Sequence, residues 1–412
     1  YGPGVQTLDI DESRLDGIAP PNRVEIGDER ETIRRALAEP VDSPSLEEFL
    51  AGARDVLVIV NDTTRPTPTQ QVLEEIEPAL ARHDGLRFIV ATGTHRAPTG
   101  DELGEIFGRF RDLHDDRILV HDCRDEPNLV PVGETPAGTP LRINRAALDA
   151  ERIVVIGSVE PHYFAGYTGG RKAFLPGLSS FETVEKNHSH ACSPRAQPRA
   201  LAGNPVHDDM MDAMELLSGL RVFAVTTVVD PDRRIYAAAA GDLAASFVEV
   251  VPRSDDIYSV RIAGRSRIVV GVAPPPLDIN LYQTQKAIEH AKLALADDGV
   301  LIIVSRCPEG LGQKTFVAIM TEANDFDEAL AAVSGDYVFG HHKVTRLVDL
   351  MRRAELRLVS DLDPEVVSGI FMRPETSLQS AVDGAIESLG PDAGVLVLPD
   401  ASVTRQCLPD GA

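Results

Sequence analysis

Four short runs of nearly uninterrupted aliphatic residues punctuate the first part of the chain: VLVIVN (56–61), LRFIVAT (86–92), RILVHD (117–122) and RIVVIGS (152–158). A strand with one face in water alternates apolar and polar residues, whereas a strand reading Val-Leu-Val-Ile-Val must be covered on both faces. A sheet sandwiched between helices provides that cover. Between the first two runs lies PTQQVLEEIEPALARHD, whose spacing predicts a helix opening at Pro68 or Thr69. Strand, helix, strand implies a right-handed crossover and a parallel sheet.

The later sequence repeats the theme with one variation. LRVFAVTTVVDPDRRIYAAAAGD (220–242) reads as two strands around Asp-Pro-Asp, a hairpin belonging to the first unit. A second α/β section opens near Arg265: SRIVVGVAPP is a strand, DINLYQTQKAIEHAKLALADDG a helix ended by Gly299, and VLIIVSR, LRLVSDL and GVLVLPD are further strands. The expected fold is therefore α/β, with two α/β domains, mostly parallel sheets and an active site in the cleft between them. Residues 1–264 form the first domain and 265–412 the second, the last strand returning to the first. A length of 412 residues suits two or three domains of roughly 150 residues each.

Charge and cysteine usage remove several functions. Lys and Arg number 40 against 64 Asp and Glu, a formal net charge of −24. Such a surface repels nucleic acid and anionic membranes, so neither is an expected partner. A small anionic substrate would need a locally positive pocket. The four cysteines, Cys123, Cys192, Cys307 and Cys407, are far apart and form neither a disulfide framework nor a zinc knuckle. With no apolar leader in the opening residues and no run of 18 apolar residues, a cytoplasmic location is expected. No G-x-G-x-x-G follows the first strand, and there is no phosphate-loop or G-x-S-x-G motif.

Polar clusters stand where strands end, the edge at which open parallel sheets bind ligands. NDTTRPTP follows the first run, GTHRAPT the second, VEPHYFAGYTGGRKAFLPG the fourth, and PPPLDINLYQTQK the strand near 270. In the first, Asp62, Thr63 and Thr64 either cap the next helix or, with Arg65, bind an anion or sugar. His95 beside Arg96 is a candidate base next to a carboxylate-binding cation. EPHYFAGYTGGRKAFLPG (160–177) is too broken for a helix and too rich in glycine for a core strand. It crowds His162, Arg171 and Lys172 into a loop expected to shape itself around a ligand rather than pack. His188 and His190 stand two apart, too few for a zinc centre but enough for one ligand to a metal carried by an organic cofactor. Gln283 and Lys286 share a helix face, with Tyr282 beside them. His341, His342 and Lys343 read as structural or surface residues. Cations gathered around two histidines suggest proton chemistry on an anionic organic acid.

Taken together, NDTTRPTP, ATGTHRAPT, GSVEPHYFAGYTGGRKAFLPG, EKNHSHACSPRA, GNPVHDDM, DINLYQTQKA and GHHK resemble the nickel-dependent lactate racemase family, in family order from about residue 55 to 345. The resemblance implies a racemase or epimerase that inverts C2 of a small 2-hydroxy acid. It implies a nickel pincer nucleotide joined covalently to Lys172 through a thioamide, with His188 as the protein's ligand to nickel and His190 as fallback. Asp62, Thr64 and Arg65 would help hold the nucleotide. His95 and His162 would be the acid/base pair, and Tyr282, Gln283 and Lys286, with Arg96, would bind substrate. The enzymes that make the cofactor would be partners. The family's substrates range over lactate, malate, longer aliphatic, aryl and sugar acids, and the motifs do not choose among them. Trp is absent, so no indole walls the pocket, and Arg346 is a candidate for a second polar group of the substrate. Two other readings stand beside this one: a 2-hydroxy acid dehydrogenase using free NAD, and a non-catalytic carboxylate or nucleotide binder.

Overall fold

The computed structural model describes residues 4–408, so the first three residues of the opening stretch lie outside it. Two six-stranded sheets carry the structure. The first runs in the order Ile235–Gly241, Val222–Val229, Arg152–Ser158, Asp55–Asn61, Gly85–Ala91, Ile118–Val120. It is parallel except for the edge strand 235–241, which turns back antiparallel on 222–229 as the hairpin expected there. The second runs Leu15–Ile18, Val395–Leu398, Ser266–Val272, Leu295–Val304, Glu355–Val359, Arg373–Glu375, all parallel.

The central strand explains its own sequence. Val56, Val58 and Val60 pack in one core with Val72, Leu73 and Ile76 of the helix Thr69–Leu80. Leu57 and Ile59 pack in another, with Leu141, Phe174 and Leu178. Both faces are covered, so both parities are apolar. RILVHD departs from that expectation: Ile118–Val120 is the sheet's edge, and Leu119 and Val120 are exposed.

Two other readings need correction. The helix that starts at Leu281 stops at Ala291, and the next strand already begins at Leu295, before Gly299. Leu295 is fully buried and pairs with Ser266. The polar Ala296–Gly299 segment is a break in register within the strand, with Asp298 at φ 57°. The first strand also leaves its expected unit. Leu15–Ile18 lies on the edge of the second sheet, after which the chain crosses to the helix Glu29–Ala38 on the first. The chain crosses again between Arg261 and Ser266. It crosses a third time after Leu398, when Arg405–Cys407 pairs with Ser259–Arg261 beside the helix Leu243–Tyr258. Among the described residues no helix is long and apolar enough to cross a membrane.

Candidate active site

A cavity of about 460 Å³ lies between the sheets at the C-terminal ends of their strands. In the first sheet it opens where chain order reverses, between Asp55–Asn61 and Arg152–Ser158, the position at which a crevice forms because successive connections leave on opposite faces. The loops after 61, 91 and 158 form one wall. The start of the helix Leu281–Ala291 and the start of the helix His341–Met351 form the other.

The loop expected to stay loose is almost wholly buried. Tyr163, Phe164, Ala165, Phe174 and Leu175 join the core beneath the first sheet. Pro161–His162 and Gly166–Tyr167 pair as a miniature antiparallel ribbon, and Gly170–Ala173 makes a 3₁₀ turn. Gly166 sits at φ 79°, where a Cβ would stand 2.2 Å from the Ala200 carbonyl oxygen. Arg171 is buried and, among the described residues, has no carboxylate partner; it donates to the carbonyls of Ala165 (2.7 Å) and Gly169 (3.3 Å) under the Phe247 ring. The apolar residues interleaved with the glycines give the loop a core, so its cations are held rather than mobile.

Two histidines reach the cavity in different hydrogen-bonding states. His95 Nδ1 lies 2.7 Å from Asp62 Oδ2, while the Thr64 hydroxyl donates to Asp62 Oδ1 at 2.6 Å. Burial works to raise the Asp62 pKa, but its bonds to His95 and Thr64 and the charge of Arg65 outweigh that and hold it below the usual value. Asp62 and Thr64 were expected at a nucleotide or as a helix cap. Both line the cavity, where they are bonded to each other and to His95, and the following helix, with Pro68 at its N-cap, has no side-chain cap. His162 is buried, and its Nδ1 accepts the backbone N–H of Ala165 (3.2 Å) and of Phe164 (3.5 Å). Burial, then Lys172, Arg65 and Lys286, push its pKa well down, so it is neutral at ordinary pH.

Lys172 and Lys286 line the cavity and are half-buried. Burial, with Arg65 next, takes Lys172 well below 10.5 and Lys286 to about 7. Arg65 is braced by Glu160 at 3.0 Å. Lys343 is a third lysine there and is buried. It donates to the Tyr282 carbonyl, with its ammonium 4.0 Å from the Tyr282 ring centre and 5.1 Å from that of Tyr163. Against the acidic surface, this interior attracts anions.

His188 ends the helix Phe181–Ser189 and lines the cavity, its ring edge-on to Phe164. Burial followed by the charge of Lys172 lowers its pKa to about 3, against the opposing pull of the Val184 backbone carbonyl. His190 turns away, with Nε2 3.8 Å from the buried Asp209. Gln283, Tyr282 and Lys286 all line the cavity, since the helix cap at Asn280 aims its first turn there. Arg96 reaches the cavity's rim, where both its terminal nitrogens bind the Glu102 carboxylate at 2.7 and 2.8 Å. Arg346 is neither a surface residue nor a cavity residue, because it forms a buried ion pair with Glu289. His342 and Lys343, read as structural or surface, do line the cavity. Their signal was available: the i, i+1 pair opens a helix whose Gly340 cap turns it toward the cleft.

Fold and site thus define a class: a two-lobed α/β protein with a cationic, histidine-bearing cleft formed by the strand ends of both sheets. Residues 1–198 match the lactate racemase N-terminal domain and residues 264–404 the lactate racemase C-terminal domain. The chain belongs to the lactate racemase family. It is 28% identical to the lactate racemase of Thermoanaerobacterium thermosaccharolyticum over 417 aligned positions, covering 97% of this chain and 96% of that protein. It is 29% identical to the lactate racemase of Lactiplantibacillus plantarum, covering 90% and 89%. The structure of the lactate racemase apoprotein from T. thermosaccharolyticum superposes with a TM-score of 0.87 over 97% of both chains. A crystal structure of a protein from Thermotoga maritima, 19% identical, shares the fold with a TM-score of 0.72 over 94% of this chain and the whole of that one.

Proposed function

We propose that this chain racemises a small 2-hydroxy acid, with lactate the first substrate to test because its relatives bear that name, and that it does so with a nickel pincer nucleotide attached to Lys172. The observation that carries the reading is the convergence of His95, His162, Lys172 and His188 on one cavity. These residues fit such a group. Lys172 presents an amine of depressed basicity, as amide or thioamide formation requires. His188 is neutral, the state in which imidazole binds a metal, and it lines the cavity. Among the described residues no three metal-ligating side chains converge, and a nickel held largely by an organic cofactor asks the protein for a single ligand.

When bound, the nucleotide supplies a reversible acceptor for the hydride of the substrate's C2. The protein's residues do the rest. Lys286 and Gln283 hold the substrate carboxylate, with Tyr282 beside them. Arg65, braced by Glu160, helps hold the nucleotide. His95 removes the hydroxyl proton through Nε2, and Asp62 accepts Nδ1–H and balances the charge that develops. His162 serves as the proton donor on the other face of the planar 2-keto acid. Inversion at one carbon needs two such groups. The cofactor-making enzymes are partners in this reading, and the cytoplasm is its compartment.

The test is peptide mass spectrometry with nickel analysis on protein co-produced with the cofactor-making enzymes. A nucleotide-sized adduct on Lys172, about one nickel per chain and loss of optical purity from lactate or a related acid support the reading. An unmodified Lys172 without nickel, from a host that loads a known family member, refutes it.

A further inference from the structure

The two histidines of the cleft differ in a way that inversion alone does not require. Every donor and acceptor around each Nδ1 is determined. Asp62 is a carboxylate and can only accept; the one proton of the Thr64 hydroxyl is committed to Asp62 Oδ1. The 2.7 Å contact between His95 Nδ1 and Asp62 Oδ2 is therefore an Nδ1–H donating to the carboxylate. In neutral His95 the lone pair is left on Nε2. At His162 the partners are backbone N–H groups of Phe164 and Ala165, which can only donate. Nδ1 of His162 must hold the lone pair, and in the neutral ring the proton is on Nε2. Placing a proton on Nδ1 would set three N–H groups against one another inside the ribbon 161–167, which Gly166 keeps from shifting through its tight approach to Ala200.

We infer that, when both rings are neutral, the protein holds its two cleft histidines in opposite tautomers: Nε2 of His95 bare, Nε2 of His162 protonated and donating. The consequence for turnover rests on the racemase reading. The enantiomer whose hydroxyl meets His95 finds a base at once. Its O–H bond breaks, the proton goes to His95 Nε2 and the freed pair on oxygen becomes the carbonyl π bond of the 2-keto acid, the hydride of C2 being what the nucleotide, when bound, would accept. The mirror-image substrate meets an N–H at His162 and cannot lose its proton there until that tautomer is exchanged. A protein that equilibrates two enantiomers is thus primed for one of them.

The experiment is a long-range ¹H–¹⁵N correlation spectrum of cofactor-free protein labelled with ¹⁵N-histidine, in mildly alkaline buffer. The two residues are assigned by the resonances lost in His95→Gln and His162→Gln. The expected result is a pyrrole-type Nδ1 with a pyridine-type Nε2 for His95, and the reverse for His162. Asp62→Asn should disturb the His95 pattern and leave that of His162 in place. If that variant fails to fold, the assigned wild-type spectrum still decides. The same pattern at both residues, or a pyrrole-type Nδ1 at His162, overturns the inference. The spectrum needs no activity, so a protein with opposite tautomers and no racemase activity would sink the functional reading while leaving the tautomers established. In loaded enzyme, first-turnover rates should differ between enantiomers by about tenfold or more. Equal rates overturn the priming.

Discussion

Arg346→Met tests how the two lobes are held together. The Arg346 guanidinium, on the helix His341–Met351, forms an ion pair with Glu289, only 4% of whose side chain is exposed. It also donates to the carbonyls of Ala196 (3.1 Å), Ala191 (3.3 Å) and Tyr163 (3.5 Å), all from the other lobe. Methionine keeps the apolar length and removes the charge. Glu289 is then left in the interior with Lys292 at 2.7 Å as its one remaining ion-pair partner in the structure. Removing one side of a buried pair costs about 3–5 kcal/mol. Burial opposes the charge on Glu289, but Arg346 and then Lys292 overcome it and take its pKa from 4.5 to about 2, worth about 3 kcal/mol at about 1.36 kcal/mol per pH unit and shared between the two cations. The folded pKa lies below the unfolded one. This stability is therefore complete above pH 4.5 and is lost as pH falls from there towards 2. Urea unfolding at neutral pH should show a loss of about 3 kcal/mol, and an acid series should show a flatter low-pH limb than wild type. Glu289→Met combined with Arg346→Met should recover much of the loss, since no charge is then stranded. A change under about 1 kcal/mol, or an unchanged acid limb, would refute the reasoning. Activity on lactate and on malate should fall together, because Arg346 does not reach the cavity.

Three further outcomes are expected. Asp62→Asn should lower kcat by about 10²–10⁴-fold with nickel content unchanged, because an amide can present its N–H to Nδ1 and favour the wrong tautomer of His95. Metal analysis beside steady-state rates checks it. Burial and Arg65 bring Lys286 to about 7, so it is protonated below that pH and neutral above. Calorimetric binding of lactate to cofactor-free protein should weaken as pH rises through about 7, and Lys286→Met should remove that dependence. Gly166→Ala should cost at least about 2 kcal/mol in urea unfolding, because φ 79° strains an L-residue and the new methyl meets the Ala200 carbonyl.

The strands and most of the cleft were legible because burial on two faces and position at a strand's C-terminal end are written in local sequence. VLVIVN needed nothing beyond its own residues to be read as a central strand, and His95, His162, Lys172 and Lys286 all fall just past strands or at a helix start. What escaped depended on partners distant in sequence. Arg346 looked available because the one acid close by, Asp349, lies on its own helix, yet Glu289, 57 residues away, claims it. The contact of Asp62 with His95, 33 residues on, could not be read from either local motif. RILVHD has the composition of a central strand, and only the order of strands in the sheet makes it an edge. The loop 160–177 misled through its glycines: they permit close approach, which here means tight packing by the Tyr, Phe and Leu residues between them.

The three crossings between the sheets set the mechanics of the cleft. A two-lobed protein joined by one linker can twist, slide and drift apart. Here three separate segments, after Ile18, between Arg261 and Ser266 and after Leu398, act like the knuckles of a door hinge. Three covalent ties restrict twist and separation of the lobes more than one would, which keeps the wall bearing His95 and His162 beside the wall bearing Lys286. Cutting one knuckle by proteolysis should leave the door hung on the other two.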